Sequence, residues 1–257
     1  MMLFSFILAL GFFIPVCVPA EYRLQELLDS DGVPGLYVGS GLAFKANCVN
    51  VDVEGITDMT GQSTRPGALF GLVRIGAALS ETEPSIIYFL QHDGTKDFPF
   101  TEHRFEWILA EHFIEHISFD EAVRFLREAK RMLAPGGTMR LSTPDLRLYV
   151  SAYLDPKMTF FKSHHALMTT GEMEGKNRHL RLSPADMLNH IFYNFGHRHI
   201  YDIEEIQEIV RIAGWTAEEG CQVHRASFRQ SDVNVNLAQL DDEIHEDESM
   251  YIDLHCK

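Results

Sequence analysis

The chain has 257 residues, 46% hydrophobic and 23% charged, with a formal net charge of -15. This balance excludes a disordered chain and allows one large domain, or an ordinary domain with an insertion. The acidic surface repels phosphate backbones and disfavours general nucleic-acid binding; Lys176 to Arg181, with Arg178 and Arg198, is the only modest basic stretch and reads as loop and interface charge.

Residues Met1 to Ala20 carry no charge and are almost wholly apolar. Val18 and Ala20 suit a signal-peptidase site, but the positive n-region is missing, and Pro15 and Pro19 weaken a spanning helix. Three readings stay open: a cleaved signal, a membrane anchor, or an upstream start or core-packing segment. Cys17, Cys48, Cys221 and Cys256 show neither C-x-x-C nor disulfide-scaffold spacing, so free thiols and a reducing, cytoplasmic setting are expected, with membrane association possible through the apolar N-terminus.

A short helix is expected at Tyr22 to Leu28. Gly35 to Val38 then reads as a buried strand broken by Gly39-Ser40-Gly41, and Val49 to Val53 as a second strand ending on an acid. Pro66 to Leu79 has helical spacing, with Pro66 suited to a first turn. Ser85 to Leu90 is a third strand, followed by His92-Asp93-Gly94, and Phe105 to Leu109 is a fourth. Strands separated by helices argue for a parallel α/β sheet.

Ser118 and Glu121 form a capping box ahead of Ala122, Leu126, Ala129 and Leu133, which recur at helical spacing; Pro135-Gly136-Gly137 ends that helix. A fifth strand follows, Thr138 to Ser142. Residues 145–198 are irregular and rich in His, Met and aromatics, and read as an insertion that covers a site, with Phe160, Phe161, Phe192, Tyr193 and Phe195 as lid core rather than an acceptor pocket. Asp202 and Glu205 cap a helix whose apolar face is Ile203, Ile206, Ile209, Val210 and Ala213. Cys221 to Ser227 and Met250 to His255 close the sheet, with Asp241 to Glu248 between them as a solvated acidic loop.

The chemistry gathers at strand ends. A strand ending in Gly39-Ser40-Gly41 lets a ligand approach the backbone, and Asp52, at the end of the next strand, can accept from both hydroxyls of a ribose. Asp93 and Glu111 end further strands at the same edge, where open α/β sheets bind ligands. Each marker alone is a plain turn or cap; the ordered set is more specific.

These residues resemble the class I SAM-dependent methyltransferases, in particular the methyltransferase type 11-like group. Leu36 to Gly41 is similar to the first motif, Val49 to Asp52 to the ribose-binding strand, and Asp93 with Phe98-Pro99-Phe100 to the adenine-side acid and its L-P-F-like segment. Phe105 to His116 resembles the fourth strand and an E-H-x-x-E-H-like segment. Arg131 to Gly137 resembles R-x-L-x-P-G-G, the most specific match, and Gly196 to Asp202 a G-H-x-x-x-Y-D segment.

The resemblance implies a doubly wound, Rossmann-like sheet of seven strands, the last two forming an antiparallel edge, with an insertion after the fifth strand. The chain then divides into an apolar segment 1–20, foreign to the family pattern, and a methyltransferase domain 21–257 with 145–198 as lid, and the resemblance implies S-adenosyl-L-methionine as cofactor. Gly39, Ser40, Gly41, Asp52, Asp93 and Glu111 are the cofactor candidates. His197, Tyr201 and Glu111 are the catalytic candidates, for transfer to an O, N or C acceptor, most simply a small molecule. The first motif departs from the family in lacking its usual starting acid.

Two other readings remain. His112-Phe113-Ile114-Glu115-His116 fits H-x-x-E-H, in which His112 and His116 on one helical face would hold zinc beside Glu115; chance matches are common among thirteen histidines, and no metal ligand is assigned. The other is a methyltransferase fold kept as a non-catalytic binding module.

Overall fold

A computed structural model describes residues 28–29, 32–40, 44–53, 72–77, 85–170, 177 and 179–257. The expected helix at Tyr22 is outside these residues except at its end, where 28–29 are helical. Met1 to Ala20 and Gly41 are also outside them. Among the described residues no helix is long and apolar enough to cross a membrane.

Eight strands form one sheet: β1 (Gly35–Val38), β2 (Cys48–Asp52), β3 (Leu72–Ala77), β4 (Ser85–Gln91), β5 (Phe105–Glu111), β6 (Leu133–Pro144), β7 (Cys221–Ala226) and β8 (Ser249–Cys256). Their order is β3-β4-β2-β1-β5-β6-β8-β7. β4, β2, β1, β5 and β6 run parallel, while β8 lies antiparallel to both β6 and β7. The chain leaves β1 for β2 on one side and later returns to β5 on the other, so the topological switch point lies between β1 and β5.

β3 corrects the helix expected over Pro66 to Leu79. Residues 72–77 pair antiparallel with β4 from Leu72↔Leu90 to Ala77↔Ser85. Leu72-Val73-Arg74-Ile75-Gly76-Ala77 carries two β-branched residues, Val73 and Ile75, which favour extended backbone. A strand partner already present in β4 outweighs a weak helical spacing. This is the eighth strand, added at an edge; the other seven follow the expected arrangement.

The first complete helix, α1 (Phe119–Met132), starts on the expected capping box, with Ser118 accepting from the Glu121 amide and Glu121 from the Ser118 amide. It buries Ala122, Val123, Phe125, Leu126, Ala129 and Met132 on the sheet, and each large apolar side chain so buried contributes roughly 1.5–3 kcal/mol. Helix α5 (Ile203–Ile212), capped by Asp202, packs beside it through Ile206, Ile209 and Val210. Between them in sequence, α2 (Leu146–Leu154), α3 (Thr159–Met168) and α4 (Pro184–Tyr193) form the expected insertion. Tyr149, Ala152, Phe161, Met187, Ile191 and Ile200 give it a core of its own. The opposite face of the sheet meets a short helix, α6 (Val235–Ala238), through Tyr37, Leu109 and Leu237.

Pro135-Gly136-Gly137 lies inside β6 rather than ending α1. The register against β5 jumps from Phe105↔Leu133 to Trp107↔Thr138, so the extra residues bulge out of the ladder. Gly136 has φ +78°, and a Cβ on Gly137 would sit 2.8 Å from the carbonyl oxygens of both Glu106 and Ala134. Neither backbone oxygen can swing aside. Gly137→Ala should therefore destabilise the fold by about 1–3 kcal/mol, the range for overpacking, as read by urea unfolding; an unchanged midpoint would show that the bulge yields.

Two further expectations are overturned. Cys221 and Cys256 are joined in a disulfide, and only Cys48 is a free thiol among the described residues. The two partners face each other in the β7–β8 register, a proximity that sequence spacing does not carry. The loop expected to be solvated also buries two acids. Asp241 is held by Arg140 and Glu248 by Tyr149, and each is less than 5% exposed.

Candidate active site

A cavity of about 480 Å³ opens at the carboxyl ends of β1, β2, β4 and β5, on the switch point. Val38 and Gly39 line it from β1; Val51, Asp52 and Val53 from β2; His92 to Thr95 from the turn after β4. His112, Phe113, His116 and Ile117 follow β5, and Phe195 reaches in from the end of the insertion.

Backbone bonds set these ends. The amides of Gly39 and Ser40 both donate to the Val51 carbonyl, at 3.0 and 3.2 Å, which folds the turn after β1 across β2. The His92 amide donates to the Asp52 carbonyl, and the His112 amide to Ser142. Gly39 has φ +77°, where a side chain would be strained, and its Cβ would lie 3.1 Å from Phe113 Cβ. Phe113 also covers Gly94, where a Cβ would come within 2.6 Å of its ring. The two glycines and Phe113 thus form one tight wall.

Asp93 accepts from the Thr95 amide and hydroxyl and stands 3.8 Å from Lys96. Burial opposes its charge, but the two Thr95 bonds and Lys96 together hold its carboxyl below the ordinary aspartate value. Behind it, Arg131 of the R-x-L-x-P-G-G segment donates to the Phe98 and Phe100 carbonyls and pairs with Glu128 at 2.7 Å. This clamp braces the loop that carries Asp93 and Gly94.

Not every candidate reaches the cavity. Gly39, Asp52 and Asp93 line it. Ser40 is buried beside it with a hydroxyl that has no hydrogen-bond partner. Glu111 turns to the other face of the sheet, where it accepts from the Asp242 amide at 2.8 Å and pairs with Lys45 at 3.1 Å. As the last residue of a strand it alternates with its neighbours, and its side chain is committed away from the cavity. Tyr201 is fully buried in the main core behind α5, its hydroxyl unpartnered. His197 stands one layer back, its ring against that of His116 with centroids 4.8 Å apart.

The H-x-x-E-H segment is not a helix face. His112 has φ +45°, and only Ile114–His116 form a single 3-10 turn. His112 bonds Ser249 at 2.7 Å and stacks on His245, whereas His116 faces His197. The two histidines diverge, so the peptidase-like zinc arrangement does not form. Burial alone would push His112 down; the Glu115 carboxylate at 3.0 Å, with Glu248 and Glu111 beyond, reverses this and holds it above its ordinary value. Burial lowers His116 more than Glu115 raises it.

Phe113, His116, Ile117 and Phe195 were not singled out as cofactor or catalytic candidates, although they line the cavity. Their signal was local: the segment after β5 and the end of an aromatic-rich insertion. Phe195 was read as lid core, yet it is 42% exposed and forms part of the wall; Phe161 is fully buried as lid core should be. Of the basic stretch, Arg181 pairs with Asp186 and Arg198 with Glu121.

Residues 70–141 match the model of a methyltransferase domain family. That span runs from the start of β3 into β6 and contains Asp93, Phe113, His116 and the glycine bulge. Over that span the chain is similar to a methyltransferase domain, and its strand order is that of the doubly wound α/β sheet expected from the sequence. No curated protein matches it by sequence. Among solved structures, a SAM-dependent methyltransferase from Archaeoglobus fulgidus is 10% identical, with TM-score 0.41 over 93% of this chain and 95% of that one. One from Aquifex aeolicus is 12% identical, with TM-score 0.40 over 91% and 93%. One from Mesorhizobium loti is 13% identical, with TM-score 0.43 over 92% and all of its own length. Likenesses at this level carry no weight beside the strand order and the family match.

The cofactor that the sequence resemblance implies is S-adenosyl-L-methionine, and the cavity suits it. Two carboxylates, Asp52 and Asp93, stand at separate strand ends, Val51, Val53 and Ile117 supply flat apolar surface, and the Gly39 turn leaves its backbone open to close approach. Ser40 Oγ and His92 Nε2 are buried without partners, polar atoms that a bound ligand could satisfy.

Proposed function

We propose that this chain is an S-adenosylmethionine-dependent methyltransferase acting on an oxygen, nitrogen or carbon nucleophile of a small molecule held in the cavity between the β-strand ends and the insertion. The reading rests on one observation: Gly39, Asp52 and Asp93, far apart in sequence, line a single cavity at the switch point of the sheet.

S-adenosyl-L-methionine supplies an electrophilic methyl group on a sulfonium. Asp52 would hold the ribose hydroxyls, Asp93 the adenine amino group, and the Gly39–Ser40 turn the methionine moiety. Phe113 and Ile117 keep water from the reacting end. Alignment and exclusion of water account for most of the acceleration in such a transfer, which needs little acid–base help. Glu111 takes no part because its carboxylate is bonded on the other face of the sheet, and Tyr201 because it is buried in the main core away from the cavity. His197 stands behind His116, ring against ring, at the acceptor side of the cavity. The insertion, residues 145–198, covers the acceptor; Phe195 is its contact with the cavity.

Asp52→Ala should weaken binding of S-adenosylmethionine and S-adenosylhomocysteine by about 1–3 kcal/mol, the cost of stranding polar groups. Calorimetric titration reads this directly. Unchanged affinity would refute the ribose assignment. Tight binding of both ligands without turnover on any acceptor would leave the non-catalytic module.

A further inference from the structure

Beside the cavity, a carboxylate oxygen of Glu115, a ring nitrogen of His116 and one of His197 all lie within 4.8 Å of one another. We propose that these three side chains form a divalent-cation site that holds the oxygen of the methyl acceptor. The three are brought together by the backbone. The amides of Arg198 and His199 donate to the Glu115 carbonyl at 2.7 and 3.2 Å, which straps the end of the insertion onto the turn after β5.

Each ligand is oriented from behind in the way metal ligands are. His197 Nδ1 bonds the Ile191 carbonyl at 2.6 Å, so Nδ1 carries the hydrogen and Nε2 keeps its lone pair. The His116 ring is held against that of His197, with centroids 4.8 Å apart. Thr143 Oγ1 donates to Glu115 Oε2 at 3.1 Å, and Glu115 is fully buried. Two imidazoles and one carboxylate suit Zn²⁺, Co²⁺ or Mn²⁺ better than Mg²⁺, which prefers oxygen and water. Three protein ligands leave coordination positions open, the mark of a site that takes a substrate. His116 itself lines the cavity, so the open side faces the proposed acceptor.

The acceptor this geometry selects is a hydroxyl or enol, whose oxygen can ligate the cation and lose its proton more readily there. On binding the cation that O–H loses its proton to bulk solvent; in the transfer the oxygen then bonds the methyl carbon as the S–CH3 bond breaks and its electron pair stays on sulfur. This choice of acceptor rests on the methyl-transfer reading; the cation site does not.

Co²⁺ is the probe, titrated into the full chain after removal of metal with chelator. About one equivalent should bind and show ligand-field absorption, and His197→Ala should bind at least about 100-fold more weakly, the upper end of what losing an outer-shell partner alone costs. His199→Ala, whose ring pairs with Glu205 at 3.0 Å, should bind like the parent. Matching melting curves without metal verify that each variant folds, with His116→Gln as the second ligand variant. No stoichiometric Co²⁺ in the parent, or equal affinity in His197→Ala and the parent, overturns the site. If Co²⁺ binds but S-adenosylhomocysteine does not, the methyl-transfer reading and the acceptor fall while the cation site stands.

Discussion

Arg140→Met should cost the fold about 3–5 kcal/mol, because it removes one partner of a buried charge cluster and strands the rest. Arg140 is fully buried on β6. Its Nε and Nη2 donate to the two oxygens of Asp241, both at 2.6 Å, and Nη1 to Asp253 at 2.8 Å. The Ser227 and Gln230 carbonyls take the remaining hydrogens, and the guanidinium lies 5.1 Å from the Tyr251 ring. Without Arg140, two carboxylates less than 3% exposed lose their cation. The cluster also ties the loop ending at Asp241 to β6 and β8. Denaturant unfolding at neutral pH measures the loss. Replacing all three charges together, Arg140→Met with Asp241→Leu and Asp253→Leu, should recover much of it, since the penalty comes from uncompensated charge. A single variant as stable as the parent would show that water reaches the carboxylates.

The sequence carried the parts of this fold whose causes are local. Ser118, Glu121 and the spacing from Ala122 to Ala129 specify α1 without reference to anything else, and Asp202 does the same for α5. Gly39 and Asp52 were legible because a glycine turn and an acid each followed a strand. What failed depended on pairing at a distance. β3 owes its state to β4, the disulfide to the β7–β8 register, and the burial of Asp241 to an arginine 101 residues earlier in the chain. Glu111 was misplaced for a related reason: it sits one residue from the cavity-lining His112, and the direction of a side chain at a strand end is fixed by the neighbouring layer. His116 and His197 showed as separate motif residues, and their meeting is a consequence of the insertion's path. A reading by strand ends locates the cofactor edge of such a sheet. The side of the cavity that the end of the insertion lines through Phe195 becomes visible only in three dimensions.

Glu248→Gln should lower stability at pH 7 by about 3 kcal/mol, and the gap between variant and parent should close as the pH falls. Glu248 precedes β8 and is 4% exposed. It accepts from the Tyr149 hydroxyl of α2 at 2.5 Å and stands 3.2 Å from His245 Nδ1, with His164 at 3.7 Å. Burial opposes its ionisation, but the His245 bond, the His112 and His164 charges and the Tyr149 hydroxyl outweigh it and bring its pKa down to about 2. A carboxyl depressed in the folded state binds its proton more readily when unfolded. Its stabilisation is therefore complete above the ordinary glutamate value and disappears as the pH drops toward 2. Each pKa unit of depression corresponds to about 1.4 kcal/mol, which sets the size of the gap. At pH 3 the gap should have shrunk by more than about half. Comparing urea unfolding of parent and variant at several pH values cancels the other carboxylates, Asp241 and Asp253 included. A gap that stays constant from pH 7 to pH 3 would mean that the carboxyl titrates normally in the folded protein. The consequence reaches the active site, because the Tyr149–Glu248 bond anchors the insertion to the sheet on the side of Ser249, the partner of cavity-lining His112. Glu248→Gln should therefore loosen the insertion over the acceptor, raising KM for the acceptor more than Kd for the cofactor.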